Sequence, residues 1–167
     1  MSKYQKSFTL IELLLYVSII GTVIFSVVGF LFLLMQSRVK NQTIAEVEQQ
    51  GLQVMQLVTQ TARNAETITA PAPGASASSL TLDVATVADD PTIFDLASGA
   101  IRIQEGADSA VALVNSRVIA SALSFQNLSR ASTPGTVRIQ FTLTHVNPAG
   151  RNEYSYNKTF YGTATLR

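Results

Sequence analysis

The feature that most constrains this chain is an uncharged, apolar run from Leu13 to Met35 with a lone carboxylate, Glu12, at its front edge. A helix needs about 20 apolar residues to cross a bilayer, so this run is long enough. An ordinary secretory signal has an apolar region of about 7–15 residues that ends in a small-x-small site. Here the run is longer and passes into Gln36-Ser37-Arg38 without such a site. An ionised carboxylate costs roughly 2.5–3.5 kcal/mol at mid-bilayer and less near the interface. The nearest cations are Lys6 before the run and Arg38 after it. The partner of Glu12 is therefore expected outside the folded monomer. Lys3 and Lys6 precede the run and Arg38 and Lys40 follow it, so the basic residues alone do not set its orientation.

No proline occurs from Met1 to Ala70, and the apolar run continues into an amphipathic one. Ile44, Val47, Gly51, Val54, Met55, Val58, Ala62 and Ala65 recur at helical spacing, with Gln42, Glu46, Gln49, Gln53, Gln56, Gln60 and Asn64 opposite them. One continuous helix from about Phe8 to Thr69 would be ~90 Å long at 1.5 Å per residue. The Pro/Gly/Ser/Ala-rich stretch of residues 70–79 reads as a linker that ends it.

Beyond the linker the chain reads as strands over residues 80–167. Leu80, Leu82 and Val84 alternate. Ile93–Leu96 and Ala100–Ile103 flank Ser98-Gly99 as a hairpin. Ala110–Val114, Arg117–Ala120 and Leu123–Leu128 are shorter strand candidates. Val137 to Leu143 alternates strictly, and Asn147-Pro148-Ala149-Gly150 is turn chemistry. The return through Tyr154, Tyr156 and Phe160 would place Lys158 on the core face, which predicts a bulge or a change of face there. The fold class is α+β: a helical spine packed on a twisted, mainly antiparallel sheet.

Composition bounds the function. The chain has 167 residues, 47% hydrophobic and 14% charged, with net charge +1. From residue 71 onward seven acids (Asp83, Asp89, Asp90, Asp95, Glu105, Asp108, Glu153) face seven bases (Arg102, Arg117, Arg130, Arg138, Arg151, Lys158, Arg167). A neutral head gives no charge argument for binding nucleic acid. The absence of cysteine excludes disulfides, zinc thiolates and a cysteine nucleophile.

The N-terminus resembles that of the type IV prepilins and pseudopilins. The residues that carry the likeness are the basic leader with Lys3 and Lys6, the small Ser7, then Phe8-Thr9-Leu10-Ile11-Glu12 and the apolar run. The resemblance implies a leader over residues 1–7 and cleavage between Ser7 and Phe8 by a membrane aspartyl peptidase. It implies N-methylation of Phe8 and a docking role for Glu12, the fifth residue from the cut, against the N-terminal amine of a neighbouring subunit. It further implies a ladle-shaped pilin fold with the transmembrane part at residues 13–35. Location would be the inner (cytoplasmic) membrane, single-pass, N-terminus in the cytoplasm, and then a cell-surface or periplasmic fibre. The implied partners are a prepilin peptidase and methyltransferase, other pilin subunits, an inner-membrane assembly platform and membrane lipid. Two positions depart from the usual pattern: Ser7 stands where Gly is usual, and Gly29 stands where many major pilins carry Pro. The sheet-rich head is closer to the minor subunits. A minor pseudopilin of a type II secretion system is the alternative within this class. An unprocessed single-pass protein with a binding or sensing head is the alternative outside it.

No enzyme and no cofactor is expected. His145 is the only histidine and continues the apolar phase of Val137, Ile139, Phe141 and Leu143, which reads as a structural strand-end residue. No Gly-x-Ser-x-Gly elbow, P-loop, dinucleotide fingerprint or His-Glu-x-x-His occurs. Asp83, Asp89, Asp90 and Asp95 offer hard oxygen ligands suited to calcium, but not at EF-hand spacing, and a solvated loop is the competing reading. Tyr154, Tyr156 and Tyr161 read as core or cross-strand packing, with a surface recognition patch as the alternative.

Overall fold

The computed structural model describes residues 9–130 and 134–167. The chain divides into two compact units that meet between Val39 and Lys40. One helix, α1 (Leu10–Asn64), supplies the first unit and opens the second.

The class is the α+β one expected, with a long N-terminal helix on antiparallel strands. Among the described residues nine strands follow α1: β1 Ala65–Ala70, β2 Ser76–Ala77, β3 Leu80–Val84, β4 Thr92–Ala97, β5 Ala100–Glu105, β6 Val111–Ala112, β7 Val118–Asn127, β8 Thr136–His145 and β9 Asn157–Thr165. They form two sheets rather than one. The first has five strands in the order β1-β3-β4-β5-β6, the second four in the order β2-β7-β8-β9. All pairings are antiparallel.

The helix stops five residues before the expected end at Thr69. Residues 65–70 pair as a strand with β3, Ile68 opposite Leu82. Thr67-Ile68-Thr69 is a β-branched run, and a sheet partner outweighs the residual helical phase that Ala65 shares with the stripe before it. The stretch read as a linker is tied down as well. Ser76–Ala77 pairs with β7. Asn127, buried to 1% exposure, donates from Nδ2 to the Pro71 carbonyl at 2.7 Å, and its carbonyl accepts from Gly74 N–H at 2.8 Å.

In the second unit α1 buries one stripe: Thr43, Val47, Gln50, Gly51, Val54, Val58 and Ala62. Apolar side chains three and four apart fall on one side of the cylinder. That side lies on the strands. The Phe160 ring sits so close to Gly51 that a Cβ there would run into it. A mid-helix glycine costs about 1 kcal/mol relative to alanine, and here that cost admits the aromatic ring. The rest of the core comes from alternate strand positions. Phe94, Phe125, Phe141, Leu80, Leu82, Ile101, Ile139 and Leu143 are fully buried, and Phe141 stacks on Phe160 at 5.3 Å.

The local signals resolve as follows. Val137, Ile139, Phe141 and Leu143 all face the core, as their alternation requires. Ser98 and Gly99 both have positive φ, 52° and 75°, the two-residue primed turn that matches strand twist. The two short strands expected at Arg117–Ala120 and Leu123–Leu128 are one strand, β7, bent by a bulge at Ala122 (φ 52°). The segment Ala110–Val114 contributes only the two residues of β6. No bulge occurs at Lys158. β9 pairs with β8 in unbroken register, Lys158 opposite Leu143 and Phe160 opposite Phe141. Lys158 keeps its place because the helix offers it a carboxylate, Glu48.

This packing sets an ordering of mutational costs. Val58→Ala removes methyl groups from a site that is 1% exposed and is expected to destabilise a fragment of residues 40–167 by roughly 1–3 kcal/mol. Gly51→Ala is expected to cost about as much by overpacking against Phe160. Gln53→Ala, on the exposed side, should stay within about 0.5 kcal/mol. Chemical denaturation of the three variants checks the order, and equal costs for Val58→Ala and Gln53→Ala would refute the assigned stripe.

Candidate functional site

In the first unit, Thr9 caps the helix. Its carbonyl accepts from the N–H groups of Glu12 and Leu13 at 3.1 and 3.2 Å, and its Oγ1 accepts from Glu12 N–H at 3.4 Å. Thr9-x-x-Glu12 is the spacing of a capping box, and it starts the helix at Leu10, three residues before the run of Leu13 to Met35. Glu12 thus lies in the first turn, where the helix dipole favours a negative charge by about 0.3–1 kcal/mol. Tyr16, one turn on, donates from its hydroxyl to Glu12 Oε1 at 3.4 Å. Both contacts are long. Among the described residues no cation pairs with Glu12. The sequence reading found no neutralising cation for Glu12 but missed these two partners. The Thr-x-x-Glu spacing and the four-residue step from Glu12 to Tyr16 could have revealed them. Ser7 and Phe8 lie outside the described residues.

From Leu13 to Met35 every side chain is exposed, and the most apolar window of the helix is 0% buried by the chain's own atoms at a mean hydropathy of 2.6. This is one helix long and apolar enough to cross a membrane, near the N-terminus. Its few polar side chains are suited to an apolar setting. Thr22 Oγ1 donates to the Ser18 carbonyl and Ser26 Oγ to the Thr22 carbonyl, each at 2.9 Å. Such back-bonding satisfies a hydroxyl without water. The helix runs unbroken through Gly29, where nothing lies within 4 Å of an added Cβ.

The other residues singled out by sequence fall apart from one another. Asp95 forms a two-pronged pair with Arg102, Nε to Oδ1 at 2.9 Å and Nη2 to Oδ2 at 2.5 Å, and the bond holds the Arg102 guanidinium pKa above its ordinary value. Asp90 Oδ1 accepts from Val84 N–H at 3.3 Å, and Asp83 Oδ2 from Thr67 Oγ1 at 3.3 Å. The Asp89 carbonyl accepts from Thr92 Oγ1 at 2.9 Å. Asp83, Asp90 and Asp95 serve separate local bonds through their carboxylates and Asp89 through its backbone carbonyl, and no group of three or more metal-ligating side chains gathers among the described residues.

His145 sits at the end of β8 with its side chain 9% exposed, its Nε2 3.6 Å from Glu46 Oε2 and its ring stacked on Tyr154. Its position is the strand-end one expected. Tyr156 packs partly against the core, whereas Tyr161 is 68% exposed and is not a core residue. Its place in β9 faces away from the helix, opposite in phase to Phe160.

A ring of polar ties holds the helix to the strands, none of them evident in the sequence. Lys40 Nζ donates to the carbonyls of Asn152 and Ser155 at 3.1 and 2.6 Å. Gln50 Oε1 accepts from Asn115 N–H, and Glu46 Oε1 from Asn115 Nδ2, both at 2.9 Å. Lys158 Nζ donates to Glu48 Oε1 at 2.6 Å and lies 5.5 Å from the centre of the Phe160 ring. The hydrogen bond from Lys158 holds the Glu48 carboxyl below its ordinary range and, reciprocally, raises the Lys158 ammonium. In Glu153, a bond from its own backbone amide comes first and the Arg151 guanidinium follows, and both hold its carboxyl low.

No protein-family model, curated protein or solved structure matches the chain.

The Glu48–Lys158 tie predicts a pH dependence. A lowered carboxylate stabilises the fold above the ordinary carboxylate range, and that share is lost as pH falls through the depressed value. A raised ammonium stabilises below the ordinary lysine range, and its share is lost as pH rises through the raised value. The deficit of Lys158→Met relative to the parent should therefore be largest near neutral pH and shrink towards ~pH 3. With both side chains about two-fifths exposed, the deficit should also shrink in high salt. Melting temperatures at the two pH values check this, and a deficit independent of pH would contradict it.

Proposed function

We propose that this chain is a structural subunit, of the minor kind, of a type IV pilus or pilus-like fibre. It is made with a leader over residues 1–7, cleaved between Ser7 and Phe8 and N-methylated at Phe8. The apolar helix holds it in the cytoplasmic membrane, N-terminus inside, until lateral packing of that helix draws it into the fibre. The chain performs no catalysis itself. A prepilin peptidase and methyltransferase act on it, and sister subunits and an assembly platform receive it.

One observation carries the reading. The apolar stretch from Leu13 to Met35 is left uncovered by the described residues, and in the first turn of α1 stands a carboxylate that pairs with no cation among them. Lipid can cover apolar side chains but does not neutralise Glu12. A cleaved N-terminal amine on a neighbouring helix does. A charge at the edge of a membrane span is a functional signal because an unpaired one is costly there. A single-pass anchor needs the apolar helix but has no use for that carboxylate at that distance from a small residue and a phenylalanine.

The expected mature chain begins at Phe8. Intact mass and N-terminal sequencing of protein extracted from membranes with an active prepilin peptidase check this. Loss of residues 1–7 with one added methyl group supports the proposal, and Ser7→Leu should block the cut. Recovery of the chain with Met1 retained would count decisively against it.

A further inference from the structure

The last turns of α1 are flanked by two grooves of opposite charge. At 3.6 residues per turn, Met55, Thr59 and Arg63 fall on one side of the buried stripe and Leu57 and Thr61 on the other, while Gln60 and Asn64, on the face between, line both grooves. On the first side a groove of about 960 Å³ lies between α1 and the end of the chain beyond β9, with Leu52 and Met55 at one end and Arg63 and Arg167 at the other. No acid lines it. On the second side, Asp89 and Glu105 line a groove beside the loop from β3 to β4, and among the described residues no base lines it. None of these four charges, nor the exposed Asp90 of the same loop, is in an ion pair among the described residues. The β3–β4 loop also carries Val87 at 90% exposure, the most exposed large apolar side chain of residues 40–167 among those described. Leu52, in the basic groove, is 63% exposed.

We propose that a second copy of this chain docks its β3–β4 loop into the basic groove, Val87 against Leu52 and Met55, and the acids Asp89 and Asp90 against Arg63 and Arg167. The dimensions agree. Val87 and Asp90 are three residues apart and span at most ~10 Å, and Met55 to Arg63 rises ~12 Å along the helix, a difference that an arginine side chain bridges. Each surface supplies what the other leaves unpaired. An exposed valine beside acids is matched by an exposed leucine beside bases. The loop and the groove are different surfaces of one chain, so the contact is heterologous. It leaves a free loop and a free groove on every pair, and it propagates into an open row rather than closing a dimer. The inference rests on the fibre-subunit reading and goes beyond it: it requires that copies of this chain enter the fibre as neighbours, and it names the surfaces by which their heads meet.

The chain has no cysteine, so introduced thiols report the contact directly. Val87→Cys with Gln56→Cys is placed in the full chain, in membranes and in sheared fibres, and oxidised. The expected result is a ladder of disulfide-linked multimers that neither single variant gives. Adding Arg63→Glu and Arg167→Glu should abolish the ladder, and further adding Asp89→Lys and Asp90→Lys should restore it. Processed chain that enters fibres without forming a ladder overturns the contact and leaves the fibre reading standing. A ladder in chain that keeps Met1 and stays out of fibres upholds the contact and sinks the fibre reading. A thiol link to a different protein in place of the ladder overturns the choice of a second copy.

Discussion

Apolar surface on a single helix has to be covered, and this chain covers only the later part of it. From Val47 to Ala62 one stripe is buried on strands and the opposite side is left to glutamines and water. From Leu13 to Met35 nothing in the chain covers any side. At about 25 cal/mol per Å² of apolar surface, leaving 23 such residues in water is untenable. The first unit therefore requires lipid or other helices, and the second does not. The hydroxyls of Thr22 and Ser26 turn inward onto the helix's own carbonyls, in keeping with surroundings that offer no water.

Polar groups decide how the second unit is fixed. Apolar burial is non-directional, so a stripe of valines alone would let the helix slide on its sheet. Lys40, Glu46, Glu48 and Gln50 each reach a specific atom of the strands or their loops, and together they set rotation and register. Individually such ties are worth little in water. Their value lies in where they are placed, around the rim of the stripe. Lys158 shows the principle at its clearest: a cation in the inward phase of β9 is tolerated because Glu48 stands opposite it, and β9 runs on without a bulge.

Local patterns proved readable and long-range pairings did not. The stripe on α1, the strict alternation of Val137 to Leu143 and the Ser98-Gly99 hairpin all followed from spacing and turn chemistry. The end of the helix did not, because Ala65 fits both a helical and a strand phase and only the distant partner β3 decides between them. The division into two sheets was equally hidden, as was the anchoring of residues 70–79 on Asn127. For the candidate site, Glu12 stood out through its charge in an apolar setting. Its Thr9 cap and its bond from Tyr16 depended on three- and four-residue spacings that the reading passed over. The opposed charges on the two flanks of α1 could not be seen at all, since Arg63 and Arg167 meet only in the fold.

The central claim is that Glu12 finds its partner on another subunit. The local hydroxyl from Tyr16 and the helix terminus soften its charge but bring no cation, so pairing with an amine would relieve two poorly solvated groups and fix one helix axially against the next. The most direct test follows Glu12→Ala and Glu12→Gln through two fractions, the processed membrane pool and sheared surface fibres. The account predicts normal insertion and cleavage for both variants, with both depleted from fibres because neither carries the charge. Incorporation of either variant at the parental level would contradict it.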